Sequence, residues 1–130
     1  MESEAGRALL VGSGGFVGAA ARYLLGGLVH RHYGGTFPLG TWTVNVLGCL
    51  IMGVLAALVL DRPVLDPRFR LFTLVGVLGG FTTFSSFSYE TLELWRQGSL
   101  RAAALNIAGT LAGTLIATYF GWRLARAVFT

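Results

Sequence analysis

Four mainly apolar stretches follow one another along the chain, at residues 9–28, 39–60, 71–89 and 100–122. Each is long enough to cross a bilayer as a helix, which takes about 20 residues at a rise of 1.5 Å. The connections between them (HRHYGGTFP, DRPVLDPRFR and ELWRQGS) are short and hold the turn formers and charges that end helices. No stretch is left for a soluble domain. The pattern predicts an all-α membrane protein, one domain of four transmembrane helices over residues 1–130.

Polar residues interrupt these spans in places that lipid disfavours. The third contains GGFTTFSSFS, residues 79–88. Gly79 and Gly80 fall near its middle and are expected to break the helix, freeing carbonyls before the break and N–H groups after it. Interrupted helices at the midplane hold ions this way: carbonyls suit a cation and a new N-terminus suits an anion. Thr82, Thr83, Ser85, Ser86 and Ser88 supply hydroxyl donors beyond the glycines. Phe81, Phe84 and Phe87 recur at a spacing of three, and an aromatic ring edge carries partial positive charge.

In the fourth span Asn106, Thr110, Thr114 and Thr118 recur every four residues and share one helical stripe. Two readings stand: a polar track for a permeating species, or hydrogen-bonding glue, with threonines bonded to the turn before them. In the second span Thr41 and Asn45 lie one turn apart, with Gly48 on the same face. A buried amide needs partners, and the two N–H donors of Asn45 suit either a neighbouring helix or an anion. Arg22 is the one full charge well inside the first span. It snorkels to the interface, clamps structure at a water-filled vestibule, or adds to an anion-attracting field. Gly14 with Gly18, Gly76 with Gly80, and Gly109 with Gly113 form small-xxx-small pairs suited to close helix packing. Four helices cannot enclose an aqueous path within one subunit, so a route lined by these faces implies a second copy.

Composition sharpens the class. Hydrophobic residues make up 54% and charged residues 12%, against about 25% charged in soluble domains, and mean hydropathy is +0.66. The net charge of +4 comes from arginines at the ends of apolar runs, which fits a membrane surface and not a nucleic-acid patch. Arg7, Arg62, Arg68, Arg70, Arg123 and Arg126 fall on one side of a four-span layout and Arg31, Arg96 and Arg101 on the other, a mild bias that fixes no single orientation. The acidic start of the chain argues against a cleaved signal. Cys49 stands alone, so no disulfide or thiolate metal framework is implied. No central His, Cys or carboxylate pair suggests catalysis, and the chain is read as a non-enzyme. GSGGFVG has Val17 where a dinucleotide fingerprint needs glycine.

GGFVGAAARY (14–23), GTWTVNVLG (40–48) and GVLGGFTTFSSFSYE (76–90) occur in an order that resembles the Fluc family of fluoride channels, also called CrcB proteins. The resemblance covers nearly the whole chain. It implies passive fluoride export across the cell (inner) membrane through an antiparallel, dual-topology homodimer with two pathways. Carried across by motif, Asn45 resembles the pore asparagine, and Phe84 and Phe87 the paired aromatics. Thr110 and Thr114 fall on the polar track, with Asn106 where an aromatic hydroxyl residue is common. Thr41 and Ser85 complete the expected pathway, and Arg22 falls near the vestibule. The backbone carbonyls of Gly79 and Thr82 resemble ligands of a central structural sodium ion. Phe81 is assigned to packing. Two rivals share four helices: a multidrug transporter, which needs a membrane carboxylate where Arg22 stands, and a non-transporting assembly subunit, which leaves the aligned polar residues unexplained.

Overall fold

A computed structural model describes residues 3–61 and 65–129. Helix α1 runs Glu4–Tyr33 and α2 Leu39–Asp61. The third span begins with α3 (Pro67–Arg70), winds as a π-helix over Leu71–Leu78, and returns to α-helix in α4 (Gly79–Phe81). After a break it resumes as α5 (Phe84–Arg96), and α6 covers Leu100–Phe129. Among the described residues there is no strand.

The four predicted spans all fall on helices, and three of the four spans extend well past the apolar windows. At 30 residues, α1 and α6 are each about 45 Å long, more than the ~30 Å hydrocarbon layer requires. Local chemistry sets the extra turns. Ser3 Oγ accepts from the Gly6 amide at 3.1 Å and caps the start of α1. Gly34, at φ 55°, ends that helix in the left-handed conformation that a residue without Cβ adopts freely.

Glycine seams set how closely the helices approach. A Cβ built on Gly14 would collide with the Phe72 carbonyl oxygen and lie 3.0 Å from the Gly76 Cα. One built on Gly80 would lie 2.5 Å from the Gly15 carbonyl oxygen. The Gly14/Gly18 and Gly76/Gly80 pairs therefore meet each other, backbone on backbone, between α1 and the third span. The Gly109/Gly113 pair meets Trp42 instead, whose Nε1 donates to the Gly109 carbonyl at 3.0 Å. A further seam, outside the predicted pairs, joins α2 to α6. There Gly53 faces the Thr118 carbonyl and Gly121 the Leu50 carbonyl.

The break lies later than the glycines suggest. Gly79 keeps helical angles (φ −62°, ψ −37°), and the chain turns extended at Thr82 (φ −85°, ψ 156°) and Thr83 (φ −150°, ψ 114°). This corrects the expected position. Gly80 is small because it packs on α1; what opens the helix is competition for its backbone groups. Thr83 N–H, which would close a turn onto Gly79, donates to Asn45 Oδ1 at 2.7 Å. Ser86 N–H, which would close onto Thr82, donates to Thr83 Oγ1 at 3.1 Å and so starts α5 with a threonine cap.

The seams make a sharp contrast testable. Gly18→Val would drive methyls into the Val77 carbonyl and the Phe81 amide, the latter 2.8 Å from the first added carbon. It should cost roughly 1–3 kcal/mol or more as overpacking, read as a lower thermal midpoint in detergent. Gly12→Ala, with nothing within 4 Å, should leave that midpoint unchanged or slightly raised. Equal behaviour of the two variants would refute the seam.

Candidate functional site

The break needs room, and Gly48 provides it: a Cβ there would strike the Thr82 methyl and lie 3.1 Å from the Phe81 ring. One turn earlier on α2, Asn45 reaches the opened backbone. Its Nδ2 donates to the Thr83 carbonyl at 2.9 Å while its Oδ1 accepts from the Thr83 amide. The side-chain amide thus pairs with a peptide as a neighbouring strand would. Asn45 is 6% exposed, so both partners are hydrogen-bonded where unpaired groups would be costly. One of its two N–H groups is used on the Thr83 carbonyl, which leaves the second available.

Arg22 reaches the same region. Its Nε donates to the Gly80 carbonyl at 3.0 Å, across 58 residues of chain. Of the three readings open for this arginine, the described contact is a clamp on the break. The Gly79 and Thr82 carbonyls have lost the amides that a continuous helix would give them, for the reasons above. A Cβ built on Gly79 would meet nothing within 4 Å.

Beside the break lies a cavity of about 210 Å³. α2 contributes Asn45 and Cys49, the break Thr82 and Thr83, α5 Phe84 and Phe87, and α6 Thr110, Leu111 and Thr114. The N-terminal end of α5, where backbone N–H groups carry partial positive charge, forms part of the wall. The two rings stand edge to face, 5.3 Å between centroids and 65° between planes. Phe87 is buried, whereas Phe84 is 74% exposed. No lining residue is an acid or an arginine.

Of the predicted pathway residues, the structure brings together Asn45, Phe84, Phe87, Thr110 and Thr114 at this cavity, and Thr82 with them. Three others do not border it. Thr41 donates to Glu90 Oε1 at 2.6 Å. Ser85 lies exposed, within 3.2 Å of Thr83 Oγ1. Asn106 is buried behind the wall, its Nδ2 donating to Thr91 Oγ1 at 2.9 Å. On α6, Thr114 donates to the Thr110 carbonyl at 2.7 Å and Thr118 to the Thr114 carbonyl at 2.9 Å, so both bond to the turn before them. Phe81 is buried against Gly48. Cys49 and Leu111 were not placed on the pathway from sequence. Cys49 was open to recognition, because it sits four residues after Asn45 and shares its face.

Known proteins resemble the chain over most of its length. The family model described as "CrcB-like protein, Camphor Resistance (CrcB)" matches residues 9–122. A protein of Chlorobium phaeobacteroides named "Fluoride-specific ion channel FluC" is 43% identical over 118 residues, which span 91% of this chain and 91% of the relative. Its counterpart in Opitutus terrae is 46% identical over 115 residues, 87% of each chain. "Fluoride-specific ion channel FluC 1" of Moorella thermoacetica is 45% identical over 118 residues, 91% of this chain and 84% of the relative.

The Asn45–Thr83 pairing predicts a stability effect apart from any transport. Asn45→Ala leaves the half-buried N–H and C=O of Thr83 without their partner, up to about 1–3 kcal/mol for each group left unsatisfied. The thermal midpoint in detergent should fall accordingly, and an unshifted melt would show that the pairing does not hold the break.

Proposed function

The chain belongs to the CrcB-like family, and from that membership together with the cavity at the break we propose that it is a channel conducting fluoride passively across the membrane. It is a multi-pass membrane protein and not an enzyme. The observation that carries the fluoride reading is the cavity wall: neutral donors and phenyl rings, with no full charge. Fluoride is small and holds its hydration tightly, so a pore selective for it must replace water with close, strong donors and leave no space for a larger halide. Here the donors are the second N–H of Asn45 and the N-terminal end of α5, because the threonine hydroxyls of the wall already donate to protein acceptors. Ring edges of Phe84 and Phe87 add partial positive charge without hydrogen-bond geometry. A wall without cations binds an anion weakly enough to release it, which conduction requires.

Thr110 and Thr114 form the α6 side of the route in this reading. Thr41 and Ser85 belong to its approaches, and Arg22 works from behind, fixing the backbone at the vestibule.

The reading includes an antiparallel homodimer of dual topology in the cell (inner) membrane, with one route on each side. Three features support it. Phe84 is exposed on a single chain, that ring lines the cavity, and the arginine bias is mild. A structural sodium ion fits the chemistry of the break, since the Gly79 and Thr82 carbonyls have given up their helical amides and are oxygen donors of the kind that binds hard cations. Those two residues would hold it, and its charge would offset the dipoles of their carbonyls.

Reconstituted protein should release fluoride from loaded liposomes under a potassium-valinomycin potential and leave chloride behind, as followed with ion-selective electrodes. Asn45→Asp puts a carboxylate oxygen against the Thr83 carbonyl and a negative charge in the route. It should slow fluoride release by about 10- to 100-fold, the effect of losing a charge-assisted hydrogen bond. Undiminished release, or equal release of the two halides, refutes the assignment. Purification and reconstitution with N-methylglucamine in place of sodium should lower both the cross-linked dimer fraction and the flux. Unchanged values would remove sodium from the reading.

A further inference from the structure

The break cuts α5 loose from the helix before it, so the position of Phe87 is not inherited from residues 67–81. Its N-terminal end is held by the Asn45–Thr83 pairing. One turn past Phe87 a second hold exists, built from residues outside the cavity. Asn106 on α6 is 2% exposed. Its Nδ2 donates to Thr91 Oγ1 at 2.9 Å, and Thr91 Oγ1 donates in turn to the Phe87 carbonyl at 2.8 Å. On its other side, Asn106 Oδ1 accepts from Thr110 Oγ1 at 3.5 Å. A relay therefore runs from a hydroxyl of the cavity wall, through two residues that do not touch the cavity, to the backbone of its buried ring.

We propose that Asn106 is a positioning residue for ion passage: acting through Thr91, it fixes the depth and tilt at which Phe87 presents its ring, and it does not itself meet the ion. The inference rests on the fluoride-channel reading and adds to it the residue that sets the aromatic wall. Three particulars carry it. The amide is buried and its acceptor and one donor are committed to protein groups. Thr91 lies one turn from Phe87 on the same short helix, so a shift at Thr91 moves Phe87 nearly rigidly. Thr110 and Phe87, the two ends of the relay, both border the cavity, whereas Asn106 and Thr91 do not. An amide suits this role because it donates toward α5 and accepts from Thr110 at once.

The test is a double-mutant cycle on unitary fluoride flux, measured in liposomes dilute enough that a vesicle carries one channel or none. This separates rate per channel from the fraction of vesicles that conduct. Asn106→Leu and Thr91→Val keep bulk and remove hydrogen bonding. Each is expected to lower the unitary rate about five- to tenfold, the scale of one buried hydrogen bond. The double variant should be no slower than the slower single one, because both cut the same relay. Parental rate in Thr91→Val with loss in Asn106→Leu would mean that Asn106 contacts the ion directly, and would overturn the proposal. Multiplying effects in the double variant would overturn it too. So would variants that change only the conducting fraction, which marks an ordinary structural brace. A parent without fluoride flux would defeat the channel reading itself, an outcome visible before any variant is made.

Discussion

A single side-chain amide holds the third span open. A helix that meets no competitor keeps its ladder of peptide hydrogen bonds, and inside lipid the incentive to do so is strong because no water replaces a lost bond. Asn45 offers the one substitute that is as good: a donor and an acceptor on one planar group, spaced to pair with the peptide of Thr83. Once that pairing forms, the rest follows locally. Thr83 turns its hydroxyl to cap α5, Gly48 clears space for the displaced Thr82 methyl, and Arg22 takes up the Gly80 carbonyl. Removing any of these later contacts weakens the break; removing the amide removes the reason for it.

The electrostatics that result are built from dipoles. The one full charge inside the first span is spent on a backbone oxygen, and the cavity wall holds amide, hydroxyl, thiol, alkyl and phenyl groups. Full charges in low dielectric attract strongly and release slowly, whereas partial charges spread over several groups give a shallow field. The π-helical turn over Leu71–Leu78 adds a second irregularity just before the break, and such windings occur often beside functional sites.

Much of this was legible in the residues. Apolar length gave the four spans, and small-residue spacing gave three glycine pairs that build two of the seams, since close approach is a property of single residues. Partners were harder. Nothing in the spacing of Gly14/Gly18 says that Gly76/Gly80 will meet it, and Gly53 and Gly121 are isolated glycines until α2 and α6 are brought together. The break was placed at Gly79 and Gly80 because glycine weakens helices. Its true position at Thr82–Thr83 depends on a donor and acceptor 38 residues away, which no local pattern contains. The π-winding has no cue in its eight residues that we can identify. The stripe Asn106–Thr110–Thr114 was found by periodicity, yet a stripe has width: Thr110 and Thr114 border the cavity while Asn106 faces α5.

The Gly79 and Thr82 carbonyls, whose helical amides are diverted to Asn45 and to the Thr83 hydroxyl, bear on biogenesis. Acceptors without donors make a chain a poor solute in hydrocarbon, costing roughly 2–7 kcal/mol per unmatched group in apolar surroundings. A newly inserted copy therefore carries a flaw that ordinary refolding cannot mend, because the amides concerned are already engaged. A donor such as water reaching the break relieves that cost. The stability of an inserted chain is therefore tied to the surroundings of those two oxygens and not only to the packing of its helices.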